Sequence, residues 1–393
     1  MIFQDKNCRT DYKTRESHLI LTKNPEDFEI LSGSWNILTT DDMRRKLSIA
    51  WMIGLLVAIH ASLESAEIPV PESAPEAPGF SSRAEVMARI ALKNLKLVEP
   101  PQSIPDGVRF HQDVVYGHGG SRNLMMDILQ PESAVSSPAL VFIHGGAWSG
   151  GKRQDYYVYT HHFASLGYVT ATVSYRLSGE APFPAAVEDV KCALRYLRSH
   201  AEKYGIDPDR MAVVGGSAGG HLAMMAGYAD ADADLDGSGG WENTSSKANL
   251  VINFYGPCDL TTDFARKAGA VMKFLEGKKF DEAPEIYERA SPVRYVDPND
   301  PPTLIFHGTL DEIVPVNQSD LLKASLTEAG VTFCYDRLAG WPHTMDAAAP
   351  VNARTRHVMK WFLESHFGPI TPTATPTQSP DEKTAPSTSN AGN

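Results

Sequence analysis

Between residues 105 and 368, short continuous apolar runs alternate with longer segments whose apolar residues recur at helical spacing. Two runs open the pattern, Val108 to Tyr116 and Leu124 to Leu129, and are expected to pair antiparallel. Further strand-like runs follow at Ala139–Ile143, Tyr168–Tyr175, Met211–Val214, Leu250–Phe254, Thr303–Phe306 and Val331–Tyr335. Between them, Ala185–Tyr204 carries Val187, Val190, Ala193, Leu194, Leu197 and Ala201 on one helical face, Ala218–Tyr228 is helix-prone, and Arg354–Phe367 closes the series. Strands apolar throughout, separated by helices, imply a mostly parallel sheet covered on both faces, hence an α/β fold. One stretch interrupts the alternation. Residues 258 to 294, after the sixth strand, are helix-prone and of mixed polarity, and are expected to form a small cap insertion over the strand ends.

The flanks read differently. Residues 67–104 are rich in Pro, Glu and Ala apart from a helical patch, and residues 369–393 are almost wholly Pro, Thr, Ser and polar. Both are expected to be mobile extensions, a linker with one short helix and a disordered tail. Residues 43–66 have a signal peptide's layout: Met43, then Arg44, Arg45 and Lys46, an apolar run to Ile59, and small residues before Glu67. The apolar run is too short for a stable membrane anchor. The expectation is export to a secreted or periplasmic location, with no membrane association after cleavage. Translation is then expected to start at Met43, which makes residues 1–42 a mis-assigned extension.

Charge and cysteine content narrow the function. With 36 Lys and Arg against 48 Asp and Glu, the net charge of −12 has the wrong sign for gripping phosphate backbones, so no nucleic-acid partner is expected. Four cysteines without a C-x-x-C pair suit neither a zinc site nor a disulfide framework. The acidic stretch Asp230-Ala-Asp232-Ala-Asp234-Leu-Asp236-Gly237 starts like a calcium loop, but the twelfth position from Asp232 is Asn243 where a Glu is required. No metal and no cofactor are therefore expected.

The candidate chemistry lies at strand ends. Met211 to His221 reads MAVVGGSAGGH, a strand running through G-x-S-x-G into a helix. That context holds a nucleophile, Ser217, on a tight turn at a helix N-terminus, with Gly215 and Gly219 sparing the backbone from side-chain clashes. A serine hydroxyl needs a base and an orienting carboxylate. Asp311 follows the strand ending at Phe306, with Glu312 as the alternative, and His343 follows the strand ending at Tyr335. The order Ser217, Asp311, His343 thus places each group after a separate strand on one rim of the sheet, and activity is expected to decline on the acid side as the imidazole protonates. His144-Gly-Gly-Ala-Trp148 ends another strand, so the N–H groups of Gly146 and Ala147, with that of Ala218, are the candidate oxyanion donors. Trp148 and Trp341 are the candidate substrate-binding residues, with Phe274 and Met272 as further candidates to line an acyl pocket.

On these motifs the chain resembles the α/β-hydrolase superfamily over essentially all of 105–368, most closely the esterase/lipase branch of hormone-sensitive-lipase-like enzymes and bifunctional feruloyl and acetyl-xylan esterases. Ser174–Ala223 and Tyr255–Leu260 (YGPCDL) carry that likeness. The resemblance implies Ser217, Asp311 and His343 as a triad, the Gly146/Ala147 turn as oxyanion loop, and hydrolysis of small-molecule or polysaccharide-linked esters. HGGAW in place of HGGG, and Gly216 in place of an Asp before the nucleophile, point to the feruloyl/acetyl-xylan side. The competing readings are an amide hydrolase of the same fold, either a prolyl-oligopeptidase-like peptidase or an arylformamidase, and a non-catalytic pseudo-hydrolase.

Overall fold

The structure is a computed structural model that describes residues 66–230 and 233–370. The signal-peptide run up to residue 65, the extension 1–42 and the tail from 371 lie outside the described residues, as does Asp232 of the acidic stretch.

Among the described residues, eight strands form one sheet: β1 (Val108–Gly119), β2 (Arg122–Pro131), β3 (Ser137–Ile143), β4 (Val169–Val173), β5 (Ile206–Gly216), β6 (Leu250–Phe254), β7 (Thr303–Gly308) and β8 (Phe333–Leu338). Their spatial order is β1-β2-β4-β3-β5-β6-β7-β8. The pairs β1/β2 and β2/β4 are antiparallel, and all the others are parallel. This is the α/β-hydrolase fold.

Because side chains alternate across a strand, each central strand feeds two cores. Ala139, Val141 and Ile143 of β3, with Met211 and Val213 of β5, pack against helices Ala185–Ser199, Ala218–Tyr228 and Asn317–Ala329. Leu140, Phe142, Ala212 and Val214 face the other way, toward helices Tyr157–Ser165 and Ala349–Phe367. The last strand begins two residues after the start of the apolar run that predicts it. Gly330 closes the preceding helix in the left-handed conformation, and the Val331 N–H bonds back to the Leu326 carbonyl, so Val331 belongs to the helix cap.

The segment 67–104 is packed, not a mobile linker. Phe333 N–H donates to the Ala66 carbonyl and Ile68 N–H to the Phe333 carbonyl, which covers the outer edge of β8. Phe80 N–H then donates to the Gly340 carbonyl, the Trp341 indole N–H donates to the Ala77 carbonyl, and Val98 N–H donates to the Ala347 carbonyl. Helix Arg83–Ala91, N-capped by the Ser82 hydroxyl, lies between these anchor points. The composition that suggested an extension instead buries Val86 and Leu95 and straps the loop 339–348 that carries His343.

Candidate active site

The turn after β5 holds Ser217 at φ 56°, ψ −124°, a conformation that non-glycine residues avoid. Its N–H bonds to the Phe254 carbonyl at 2.9 Å, tying the turn to the end of β6. A Cβ on Gly215 would run into the Gly219 carbonyl, and one on Gly219 into the Ile143 carbonyl, so both glycines are needed for the strand to turn into helix Ala218–Tyr228.

His343 Nε2 lies 3.0 Å from Ser217 Oγ, and its Nδ1 lies 2.6 Å from Asp311 Oδ2. Asp311 Oδ1 accepts the N–H groups of Ile313 and Val314 at 2.9 Å each, and Oδ2 also lies 3.2 Å from His307 Nε2. Burial opposes the charge of Asp311, but the hydrogen bonds from His307, His343 and Val314 more than offset it and hold the carboxyl at about 2. An ionised carboxylate only accepts, so His343 Nδ1 carries the proton and Nε2 presents its lone pair to the serine hydroxyl. Glu312, the alternative carboxylate, points away and pairs with Arg83 at 3.0 Å on the surface.

The three groups predicted from separate strand ends thus meet in one hydrogen-bonded line. Gly146 (φ 106°), Ala147 (φ 54°) and Trp148 (φ 52°) form a left-handed turn beside it. Among the described residues, no hydrogen bond engages the N–H of Gly146, Ala147 or Ala218, which leaves all three free as donors.

The line opens into a cavity of about 720 Å³ walled by Gly145–Ala147, Lys152, Gln154–Tyr159, Ser217, Tyr255, Ile313, His343, Thr344, Asp346 and Ala347, with Val98 and Pro100 from the N-terminal strap. Two expectations are corrected here. Trp148 and Trp341 do not line this cavity. Trp148 is buried, stacks on Phe274 at 4.6 Å and 12°, and donates its indole N–H to His221 Nδ1 at 3.2 Å. Trp341 is buried against Phe80, 5.2 Å away edge-on. Large indoles next to reactive loops brace those loops from behind. Nor does the 258–294 insertion wall the cavity: Phe274 and the Ala290 carbonyl, which receives His221 Nε2–H at 2.7 Å, clamp the far side of the oxyanion turn.

Sequence reasoning passed over Tyr255, Asp346 and Asn352. Tyr255 ends the β6 run and lays its ring 4.6 Å from the His343 imidazole. Its hydroxyl donates to the half-buried Asp346 carboxylate, which desolvation pushes above the usual carboxylate range despite bonds from Tyr255 and Tyr159. Position at a strand's carboxyl end was a readable signal for Tyr255, and proximity to His343 for Asp346. Nothing local marks Asn352. In the acidic stretch, Asp236 is occupied by Lys191 Nζ at 2.7 Å.

Comparison with known proteins adds a family. The BD-FAE family model matches residues 126–326, just over half of the chain. The chain belongs to the BD-FAE family. Among curated proteins, this BD-FAE member is 34% identical over 250 residues to esterase LipQ of Mycobacterium tuberculosis, a match covering 62% of this chain and 59% of LipQ. Among solved structures, it is similar to a truncated carbohydrate esterase from gut microbiota, with TM-score 0.60 and 27% identity over 67% of this chain and 99% of that one. Esterase 2 of Thermogutta terrifontis, in its apo form, matches with TM-score 0.58 and 26% identity over 70% of this chain and all of its own. These relatives place the BD-FAE member in the esterase/lipase branch of the α/β-hydrolases.

Proposed function

We propose that the chain is an exported serine carboxylesterase that works through an acyl-enzyme, on short-chain acyl or acetyl and feruloyl esters such as those of plant polysaccharides. The observation that carries this reading is the unbroken line from Asp311 through His343 to Ser217, beside free backbone donors and open to a cavity. Ser217 Oγ attacks the ester carbonyl as His343 Nε2 takes its proton, and the negative charge forming on the carbonyl oxygen meets the N–H groups of Gly146, Ala147 and Ala218. His343 then protonates the departing alkoxide. Water, deprotonated by the same imidazole, attacks the acyl-enzyme and releases the acid, restoring Ser217. The gut carbohydrate esterase supports a sugar-ester substrate, and the signal-peptide layout supports export.

A substrate panel on the purified chain tests the reading: p-nitrophenyl acetate and longer p-nitrophenyl esters, methyl ferulate, acetylated xylan, a chromogenic peptide and N-formylkynurenine. Turnover of the short or sugar-linked esters is expected to exceed that of the two amides by at least about a hundredfold in kcat/KM. Faster cleavage of either amide would replace the esterase reading with the amide-hydrolase one. Thermogutta terrifontis esterase 2 has been solved phosphorylated by paraoxon. Paraoxon is accordingly expected to add one diethylphosphoryl group to Ser217, seen by peptide mass spectrometry.

The brace behind the oxyanion turn gives a second expected result. Trp148→Phe keeps the stack on Phe274 but deletes the donor to His221, loosening two residues held in a strained conformation. It should lower kcat on p-nitrophenyl butyrate by about ten- to a hundredfold while changing KM little, because donor placement matters most in the transition state. An unchanged kcat would remove Trp148 from the catalytic account.

A further inference from the structure

Tyr255 touches the relay without carrying a proton in it. The residue stands just past β6 at φ 42°, a left-handed value for a residue with a side chain, and its N–H pins it there by donating to the Phe306 carbonyl at 2.8 Å. In that position its ring lies 4.6 Å from the His343 imidazole, with the two planes 57° apart, and its hydroxyl donates to Asp346 Oδ1. Asp346 Oδ2 accepts a second phenol, Tyr159, at 3.3 Å, and the Tyr159 hydroxyl lies 2.9 Å from Thr355 Oγ1. Two hydrogen bonds into one carboxylate favour its ionised form against the desolvation that opposes it, and attraction to His343 acts in the same direction.

The imidazole is neutral while it waits and cationic once it has taken the Ser217 proton. Around it stand Asp311 on Nδ1, itself beside His307, Ser217 on Nε2, and Tyr255 with Asp346 against the ring. Glu312 is turned out to Arg83, and Lys152 and Asp155 are exposed on the cavity wall. We propose that Tyr255 and Asp346 form a positioning pair for His343: the phenol ring sets the plane of the imidazole, and the carboxylate that the phenol anchors stabilises the imidazolium formed as Ser217 attacks. An aromatic ring at this distance also attracts a cation, so ring and carboxylate act in the same sense. Asp346 takes no proton; the one from Ser217 Oγ stays on His343 Nε2 until it passes to the departing alkoxide. This rests on the Ser217–His343 relay of the proposed esterase.

The test measures kcat and KM on p-nitrophenyl acetate between about pH 5 and pH 9 for the wild type, Tyr255→Phe and Asp346→Asn. Tyr255→Phe keeps the ring and cuts its bond to the carboxylate, whereas Asp346→Asn keeps the shape and removes the charge. p-Nitrophenolate leaves without a proton, so a weaker base is not offset by a stronger acid. In both variants the plateau kcat should fall about three- to tenfold, with KM changed less than about twofold. The acid limb should also move down by about half a pH unit to one unit, because an imidazolium that has lost a stabilising charge gives up its proton at lower pH. A merely structural role would lower the plateau and leave the limb in place. That result, or a limb that moves up, would overturn the pair. If Asp346→Asn gives no soluble protein, Tyr255→Phe decides. The downfield Nδ1–H resonance of His343, followed by proton NMR against pH in Ser217→Ala protein with and without each substitution, reads the same displacement without turnover. A chain that hydrolyses no ester would thus overturn the esterase reading while the resonance still decides on the pair.

Discussion

Replacing Ser217 with alanine should lower kcat/KM on p-nitrophenyl acetate by roughly 10⁴-fold or more, with the thermal midpoint nearly unchanged. The large loss follows from geometry: Oγ is the atom within 3.0 Å of the His343 lone pair, and nothing else in that turn can form the acyl bond. The small structural effect follows from what remains. The backbone N–H still bonds to Phe254, the left-handed turn is still held by Gly215 and Gly219, and the lost hydroxyl leaves behind an imidazole facing the cavity. Measurement pairs steady-state kinetics with a melting curve and paraoxon labelling. A variant keeping more than about a tenth of the activity would mean that another group does the chemistry.

Asp311→Asn should be nearly as damaging to turnover, by about 10⁴-fold, through the proton on His343. Asparagine can turn an N–H toward Nδ1, which moves the imidazole proton to Nε2 and leaves Ser217 without a base. The same variant carries a stability signature. The carboxyl of Asp311 lies near 2 in the folded protein, against an ordinary value of 3.8. Its stabilising contribution is therefore complete above about pH 4 and disappears as pH falls toward 2, with a size on the order of 2 kcal/mol. Asp311→Asn should accordingly melt below the wild type at pH 7, and the gap should close between about pH 4 and 2. A gap that widened in acid would contradict the ionised, buried carboxylate.

The elements that were legible from local pattern share a physical cause. A strand buried on both faces must be apolar throughout, and a nucleophile on a strand-to-helix turn must be flanked by residues without side chains, so β3, β5, β6 and the Ser217 turn are written in adjacent residues. The rim rule did the same for Asp311 and His343, since a residue just past a parallel strand lies on the rim where its neighbours also end. Local pattern failed where composition stood in for contact. Residues 67–104 look like a linker, yet their backbone groups find partners on β8 and on the 339–348 loop, distant in sequence.

What the sequence by itself determined is the class of the sheet, the order of its strands' active ends, and the identity of the three groups that meet there, because each of these depends on neighbours within a few residues. Only the tertiary structure decided what surrounds them. It turned Trp148 and Trp341 into braces, moved the 258–294 insertion behind the oxyanion turn, and built the cavity wall from Tyr156, Tyr255, Asp346 and Asn352. Which way an indole faces depends on packing between segments far apart in the chain, 73 residues for Trp148 with His221 and 264 for Trp341 with Ala77. No short-range pattern encodes that.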